Sequence, residues 1–595
     1  MKLNIAFAVS VALLIGSWLS LNSSPTTAQP GKAAAAKARA AKYDPTAAAL
    51  AEIAKLKVGK HDWPQWSGWG SKNNTPYGKN IPIEWDVKTG GNIKWKAKLG
   101  SQTYGNAVVA NGKVFIGTNN EAGYLKRYPI KEDLGCLLCF DEKTGQFLWQ
   151  HSSPKLAAGR VNDWPEQGIC DAPYVDGDRV WFVTSRGEVI CLDTNGFHDN
   201  LQNDGPFNTE AVIPKNKADV EGMKEADVVW KFDMMGTLGS FQHNMCACSV
   251  TIAGDILFVA TGNGHDATHI NLPAPNAPSF FALNKTTGKL LWKDKSPGEN
   301  ILHGQWSSPT YAVLNGVPQV LFAGGDGWLY SFDPKGTGKD FKSKLLWKFD
   351  CNPKESKWVL GGRGTRNNLI ATPVVYDGLV YIAVGQDPIH GEQMGHLYCI
   401  KPPVKADGSD VSPFLAVDAQ GKPVPHRRLQ AIDTNIGEKA IKNPKSAMVW
   451  HYGSWTEAEY AKKPFEKQMH RSCGTVAIKN DILYIADFSG LVHCLNAKTG
   501  KVHWTYDMFS ASWGSPLIVE GRVYIGDEDG DIAIFPLTAD PKKALKLKKN
   551  AKDEFIPALG EIEMHSSVYT TPIVANNVLY IATRTTLYAI SAGGK

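Results

Sequence analysis

Side chains able to hold or transform a ligand gather in a few short runs of this 595-residue chain: His243-Asn244, His303 with Gln305 and Trp306, Arg366-Asn367-Asn368, His470-Arg471, Trp513 and His565. Cationic and amide donors beside flat indoles suit a planar, anionic ligand. The same residues would also serve a plainer purpose, filling a narrowing core and satisfying backbone groups. Two segments carry metal-ligand types, His265, Asp266 and His269 in one and His390, Glu392 and His396 in the other. Polar loops produce such spacings by chance as well as by design. The acidic run Asp527-Glu528-Asp529-Gly530-Asp531 opens like a calcium loop but lacks the later bidentate Glu, and reads as a turn.

The elements that must position these residues are announced by a repeat. Each unit starts with a short strand, often headed by a small residue and Pro, as at Ala172-Pro173, Ser308-Pro309, Thr372-Pro373, Ser515-Pro516 and Thr571-Pro572. A Gly- or Asn-marked turn leads to a β-branched and aromatic second strand such as Val114-Phe115-Ile116 or Val523-Tyr524-Ile525. A third strand ends in a small residue, an apolar one and often Asp or Asn, and Thr-Gly then turns the chain into a fourth strand with Trp: Cys139-Phe140-Asp141, Thr144-Gly145 and Trp149 make one good copy, and Cys494-Leu495-Asn496, Thr499-Gly500 and Trp504 another. First strands begin near Asn106, Ala172, Ser249, Ser308, Thr372, Thr475, Ser515 and Thr571. Eight units of four strands predict an all-β fold, an eight-bladed β-propeller of antiparallel blades. The last unit stops near Ser591 without its Trp strand, while Thr89-Gly90 and Trp95 stand at the start with no strands before them. Pairing the N-terminal strand with the C-terminal blade would close the ring and remove an exposed sheet edge.

This register interprets the ten cysteines. Cys139, Cys191, Cys399 and Cys494 share one third-strand position with Ala282, Ser331 and Ala589, so they read as small buried side chains. Cys136 and Cys139 make a C-x-x-C without a second pair at zinc spacing. Cys170, Cys246, Cys248 and Cys473, near the axis, are the candidates for a bridge or a reactive thiol. Longer segments precede first strands (150–169, 351–370) or join second to third strands (119–134, 263–279, 386–395). All of these emerge on one face, which is therefore the expected functional face. Two insertions, 195–227 and 402–447, join third to fourth strands and are expected to cover the opposite face.

The Trp-bearing units resemble the repeats of the pyrroloquinoline quinone (PQQ) propeller superfamily, which contains the quinoprotein alcohol dehydrogenases and the non-enzymatic outer-membrane assembly propeller. The resemblance spans roughly residues 62–591 and implies that Trp149, Trp230, Trp292, Trp347, Trp450 and Trp504 dock on neighbouring blades. Thr261-Gly262-Asn263-Gly264 looks like the dehydrogenases' T-G-N segment, which would make Asn263 a calcium ligand beside the quinone. His303-Gly304-Gln305-Trp306 resembles their H-D-x-W segment, but Gly304 stands where the catalytic Asp belongs, leaving no obvious base. Their adjacent Cys pair is replaced by Gly168-Ile169-Cys170-Asp171, and no C-x-x-C-H for haem occurs.

A formal net charge of +6 without Lys/Arg runs interleaved with aromatics speaks against nucleic acid as a partner. Residues 1–28 read as a signal peptide, with a basic Lys2, an apolar stretch from Ile5 to Ile15 and small residues up to Ala28. Residues 29–60 read as an Ala/Lys-rich tether outside the fold, and 61–595 as the propeller. No later apolar run reaches the length of a membrane span. The expectation is a monomeric periplasmic or secreted propeller that binds a protein or a small molecule without catalysis on its elaborated face. The alternative is a divergent PQQ-dependent oxidoreductase with calcium, using Asn263, His303, Gln305, Trp306, Arg366, Asn367, His470, Arg471, Trp513 and His565 as binding groups.

Overall fold

The computed structural model describes residues 42–549 and 554–594; the expected signal peptide and residues 29–41 of the expected tether lie outside them. Blade 1 is formed by Val108–Ala110, Lys113–Asn119, Leu134–Asp141 and Phe147–Pro154, each antiparallel to the next. The pattern repeats from Tyr174–Asp176, Thr251–Ala253, Thr310–Leu314, Val374–Tyr376, Ala477–Lys479, Leu517–Val519 and Ile573–Ala575, giving an eight-bladed propeller. Blade 8 takes its outer strand from the other end of the chain: Ile93–Lys98 pairs antiparallel with Thr586–Ile590, with Trp95 opposite Ala589.

The repeat's conserved-looking register has a packing cause. In each Trp-bearing blade the small third-strand residue lies directly across from the fourth-strand Trp: Cys139 from Trp149, Cys191 from Trp230, Ala282 from Trp292, Ser331 from Trp347, Cys399 from Trp450 and Cys494 from Trp504. A larger side chain there would displace the indole. Most of these indoles also reach the next blade. Trp149 Nε1 donates to Thr194 O, Trp230 to Lys285 O, Trp292 to Pro334 O, Trp450 to Ala497 O and Trp504 to Thr538 O. Trp347 departs from the rule and donates to Gln319 of its own blade. The Thr-Gly turn is the other half of the joint: a Cβ on Gly145, Gly288 or Gly500 would lie 2.6–2.7 Å from the indole of Trp95, Trp230 or Trp450, and φ there is about +70°. Cys136 and Cys139 point to opposite faces of their sheet, into different core clusters, as strand alternation requires. All ten cysteines are free thiols.

Residues 44–60, expected to lie outside the fold, belong to it. Pro45–Ile53 is a helix capped by Asp44, and its Ala49 and Ile53 are buried in the cluster that also holds Trp63, Trp69 and Trp95. Small alanines let the helix lie close to the disc, where Lys479 Nζ donates to Thr46 Oγ1. From there residues 61–74 wind across the end of the central channel. His61 O, Pro64 O, Gly70 O, Ser71 O and Asn74 O accept from Asn576, Val175, Tyr311, Val375 and Ile518, Trp63 exchanges two bonds with Val109, and Asn73 exchanges two with Ile478. Six of the eight first strands, and the turn that follows a seventh, are thereby tied to one segment, which seals the face of the short turns.

The insertions do not cover that face as expected. Gln150 makes a parallel bridge to Glu225, and Leu345–Asp350 of blade 4 pairs in parallel with Ser409–Asp410. Each insertion thus lies along the outermost strand of the preceding blade, where unpaired backbone groups would otherwise face solvent. The second continues to the elaborated face, where Trp358 N donates to Leu429 O.

Candidate functional site

The small residues that head first strands form a belt around the axis. Backbone N–H groups of Ala172, Ser249, Thr372, Thr475, Ser515 and Thr571 donate to the side chains of Ser249, Ser308, Thr475, Ser515, Thr571 and Asn106 respectively. Each link crosses to the next blade, so a short side-chain acceptor is needed at nearly every head. Thr372 Oγ1 instead accepts from Trp66 Nε1, whose indole is the floor of a cavity of about 420 Å³ above the belt.

Two residues ahead of each belt position, every blade contributes one residue to the cavity wall. Blades 7, 8 and 1 supply Trp513, Tyr569 and Tyr104, with ring centroids 5.2 Å and 4.7 Å apart along the series, and blade 4 supplies Trp306. Blades 2, 3, 5 and 6 supply Cys170, Ala247, Ile370 and Cys473. The result is a lopsided funnel, aromatic on one side and wide on the other, in which none of the eight blade residues is charged and the carboxylate of Asp387 enters only from the mouth loop. Burial pushes the thiols of Cys170 and Cys473 up to about 12, which keeps them protonated at neutral pH.

At the mouth a second cavity of about 420 Å³ shares Trp164, Asn244, Asp387 and Ile389 with the first. Four imidazoles crowd it: His243 lies 4.3 Å from His303 and 4.9 Å from His269, and His303 lies 4.8 Å from His269 and 5.0 Å from His390, between ring centroids. Asp387 Oδ2 is 2.6 Å from His303 Nδ1, and the same carboxylate accepts from His390 Nδ1 at 3.0 Å. Burial would raise the Asp387 carboxyl, but the two imidazoles hold it well below the usual carboxylate range. Burial, reinforced by His303, pushes His243 down to about 3, and burial followed by His303 also lowers His269.

Local sequence explains how these groups approach. A Cβ on Gly264 would meet His303 O at 2.5 Å and His243 Cβ at 2.7 Å, so the Thr261-Gly262-Asn263-Gly264 turn is what admits the two histidines side by side. At Gly304 a Cβ would lie 2.6 Å from the folded-back indole of Trp306. The ring occupies the space that any side chain at this position would need. A carboxylate nonetheless reaches the mouth, as Asp387 from blade 5.

Of the residues singled out from sequence, His243, Asn244, His303, Trp306 and Trp513 line these cavities, as do Cys170 and Cys473. The others are engaged elsewhere. Asn263 accepts from Phe241 N and donates to Ala274 O, Gln305 Oε1 accepts from Gly325 N, and Arg366 donates to Ser356 Oγ. Arg471 donates to His390 O, Gly362 O, Gly364 O and Asn367 Oδ1, which fixes the loop that carries Asp387 and His390. His470 packs against Asp487 and Ser489, and His565 pairs with Glu563. The cationic funnel expected from these residues is therefore not formed: Arg471 is spent on backbone carbonyls, and Arg366 is buried beside Ser356 and lines neither cavity. PQQ does not fit this lining: its acidic groups would find no Lys or Arg among the residues that line the funnel, and Asn263 is buried outside both cavities with Oδ1 accepting from Phe241 N. The two local metal clusters also separate: His265 faces Ile301 O and Arg428, Asp266 is tied to Thr268 and Asn271, and His396 lies beside His451. One member of each, His269 and His390, meets at the mouth. Tyr104 and Tyr569 were overlooked, though their spacing of two before Asn106 and Thr571 repeats that of Trp306 and Trp513.

The fold defines the class, an eight-bladed β-propeller. Residues 428–541 match the family model described as outer membrane protein assembly factor BamB. Solved structures similar to the chain include BamB from Moraxella catarrhalis, at 15% identity and a TM-score of 0.42 over 84% of this chain and 97% of that one. A europium-containing methanol dehydrogenase is similar at 11% identity and a TM-score of 0.43, over 91% of this chain and 100% of its own. Quinohemoprotein alcohol dehydrogenase from Comamonas testosteroni is similar at 13% and 0.43, over 93% and 84%. No curated protein matches the sequence.

Proposed function

We propose that this is an exported binding propeller that takes an uncharged, flat or apolar small molecule into the funnel on its elaborated face. The observation that carries the reading is the wall itself: one residue per blade, four of these eight aromatic and none charged, around about 420 Å³, with Asp387 the one acid at its edge and no Lys or Arg among its lining residues. Stacked rings reward a planar ligand, while a buried carboxylate or phosphate would find no partner there. Binding rather than turnover is favoured by the protonated thiols and by the engagement of Asp387 with two imidazoles. Export is proposed from the signal-like residues 1–28.

Quenching of tryptophan fluorescence by paired planar compounds, one neutral and one carboxylated, with PQQ among the latter, tests the reading. Neutral members should bind saturably and Trp513→Ala should abolish it. Tighter binding of the carboxylated members, or unchanged binding by Trp513→Ala, would overturn it.

A further inference from the structure

We infer that His243, His269 and His303 form a binding site for a divalent transition metal of the zinc class at the funnel mouth, with Asp387 as the group that orients His303. This goes beyond the funnel reading and does not depend on it.

Each of the three histidines offers a ring nitrogen within 4.8 Å of those of the other two. Tetrahedral zinc with Zn–N bonds of about 2.0–2.1 Å needs nitrogens about 3.4 Å apart, a closure within reach of side-chain rotation at the half-buried His269. The remaining ring nitrogens are anchored in the manner expected of ligating imidazoles. His243 Nδ1 is 2.8 Å from His265 O, and His303 Nδ1 is 2.6 Å from Asp387 Oδ2. The His265 bond fixes the His243 tautomer that leaves Nε2 with its lone pair free, and the Asp387 carboxylate close to Nδ1 of His303 favours the same state there. Nε2 of His243 and Nε2 of His303 are both buried and hydrogen-bonded to no group of the described protein. Two adjacent buried acceptors left bare are costly unless something binds between them.

Donor chemistry selects the metal. Three imidazoles with neither thiolate nor a hard oxygen in the set suit zinc, copper or nickel and not calcium. Three protein ligands leave a fourth position open, and here it faces the cavity lined by Arg160, Trp164 and Asn244. Arg428 from the 402–447 insertion positions the hairpin by donating to Ile270 O and His269 O, so the insertion that crosses the rim steadies one ligand.

The test is titration of the full mature protein with Zn²⁺ by calorimetry, and with Co²⁺ followed by its visible absorption. One equivalent of each should bind, Co²⁺ with the intense bands of a tetrahedral site, while Ca²⁺ does not bind. His269→Gln and His243→Gln should remove the saturable site, Asp387→Asn should weaken it roughly 10–100-fold, and His565→Ala should leave it intact. Trp513→Ala should keep metal binding even where it loses the funnel ligand, so the two readings fail separately. Absence of saturable binding, or binding that survives both His269→Gln and His243→Gln, would overturn the proposal.

Discussion

At one end of the channel, residues 61–74 close the hole with bonds to six first strands and to the turn that follows a seventh, and with buried Trp63, Trp66 and Trp69. At the other, loops from blades 3, 4 and 5 stop around two cavities and leave buried imidazole nitrogens bare. Both ends use aromatic and polar side chains at the same narrowing of the ring. The difference lies in the backbone: at the sealed end the chain's own segment pairs with the first strands and leaves only scattered side-chain atoms such as Trp63 Nε1 and Trp69 Nε1 without partners, whereas the open end gathers its unmatched imidazole nitrogens around a cavity that a guest can enter. Stability should accordingly depend on the first end and binding on the second.

Removing the sealing segment should therefore have the largest effect, and Trp63→Ala is its smallest informative version. That indole is 1% exposed, and its loss should cost about 3–5 kcal/mol by denaturant unfolding. A loss no greater than that of an open-end substitution would erase the contrast.

Lys72 sharpens it. This side chain is buried at the sealed end, donating to Gln65 Oε1 and Trp66 O, and burial pushes its ammonium down to about 7. Above that value the folded protein holds the neutral amine while the unfolded chain stays protonated up to about 10.5. The unfolded state then binds more protons, so this group's contribution to stability rises with pH between about 7 and 10 and is at its most unfavourable below 7. The stability difference between Lys72→Met and wild type should change by a few kcal/mol across that window, read from unfolding at several pH values. A flat difference would show that the amine is charged in place.

Gly500→Ala, at a joint shared by all sides of the disc, should cost about 1–3 kcal/mol, because the new methyl meets the Trp450 indole at a φ of +70°. Thermal unfolding measures it. At the open end, Trp513→Ala and Cys170→Ser should each change stability by about 1 kcal/mol or less, the first losing ligand binding all the same.

The blade count, the ring closure through Trp95 and Ala589, and the burial of Cys139, Cys191, Cys399 and Cys494 could be read from the repeat, because each unit states its own strand alternation and its own joint. The open end was legible only in part. Trp306 and Trp513 stood out as large aromatics, whereas Tyr104 and Tyr569 required the register to be followed through every blade. Arg366 and Arg471 point to a cationic funnel in the sequence but are buried away from the cavities, because residue type says nothing about whether a guanidinium faces a ligand or the protein's own interior.

Periodicity and the Trp, Gly and small-residue pattern determined the propeller, since those constraints act between neighbours in a strand or across one turn. Only the tertiary structure decided that residues 61–74 seal the channel and that His243, His269, His303 and Asp387 meet. These contacts join loops of different blades, and the sequence separations that bring them together are set by the ring as a whole and by no local pattern.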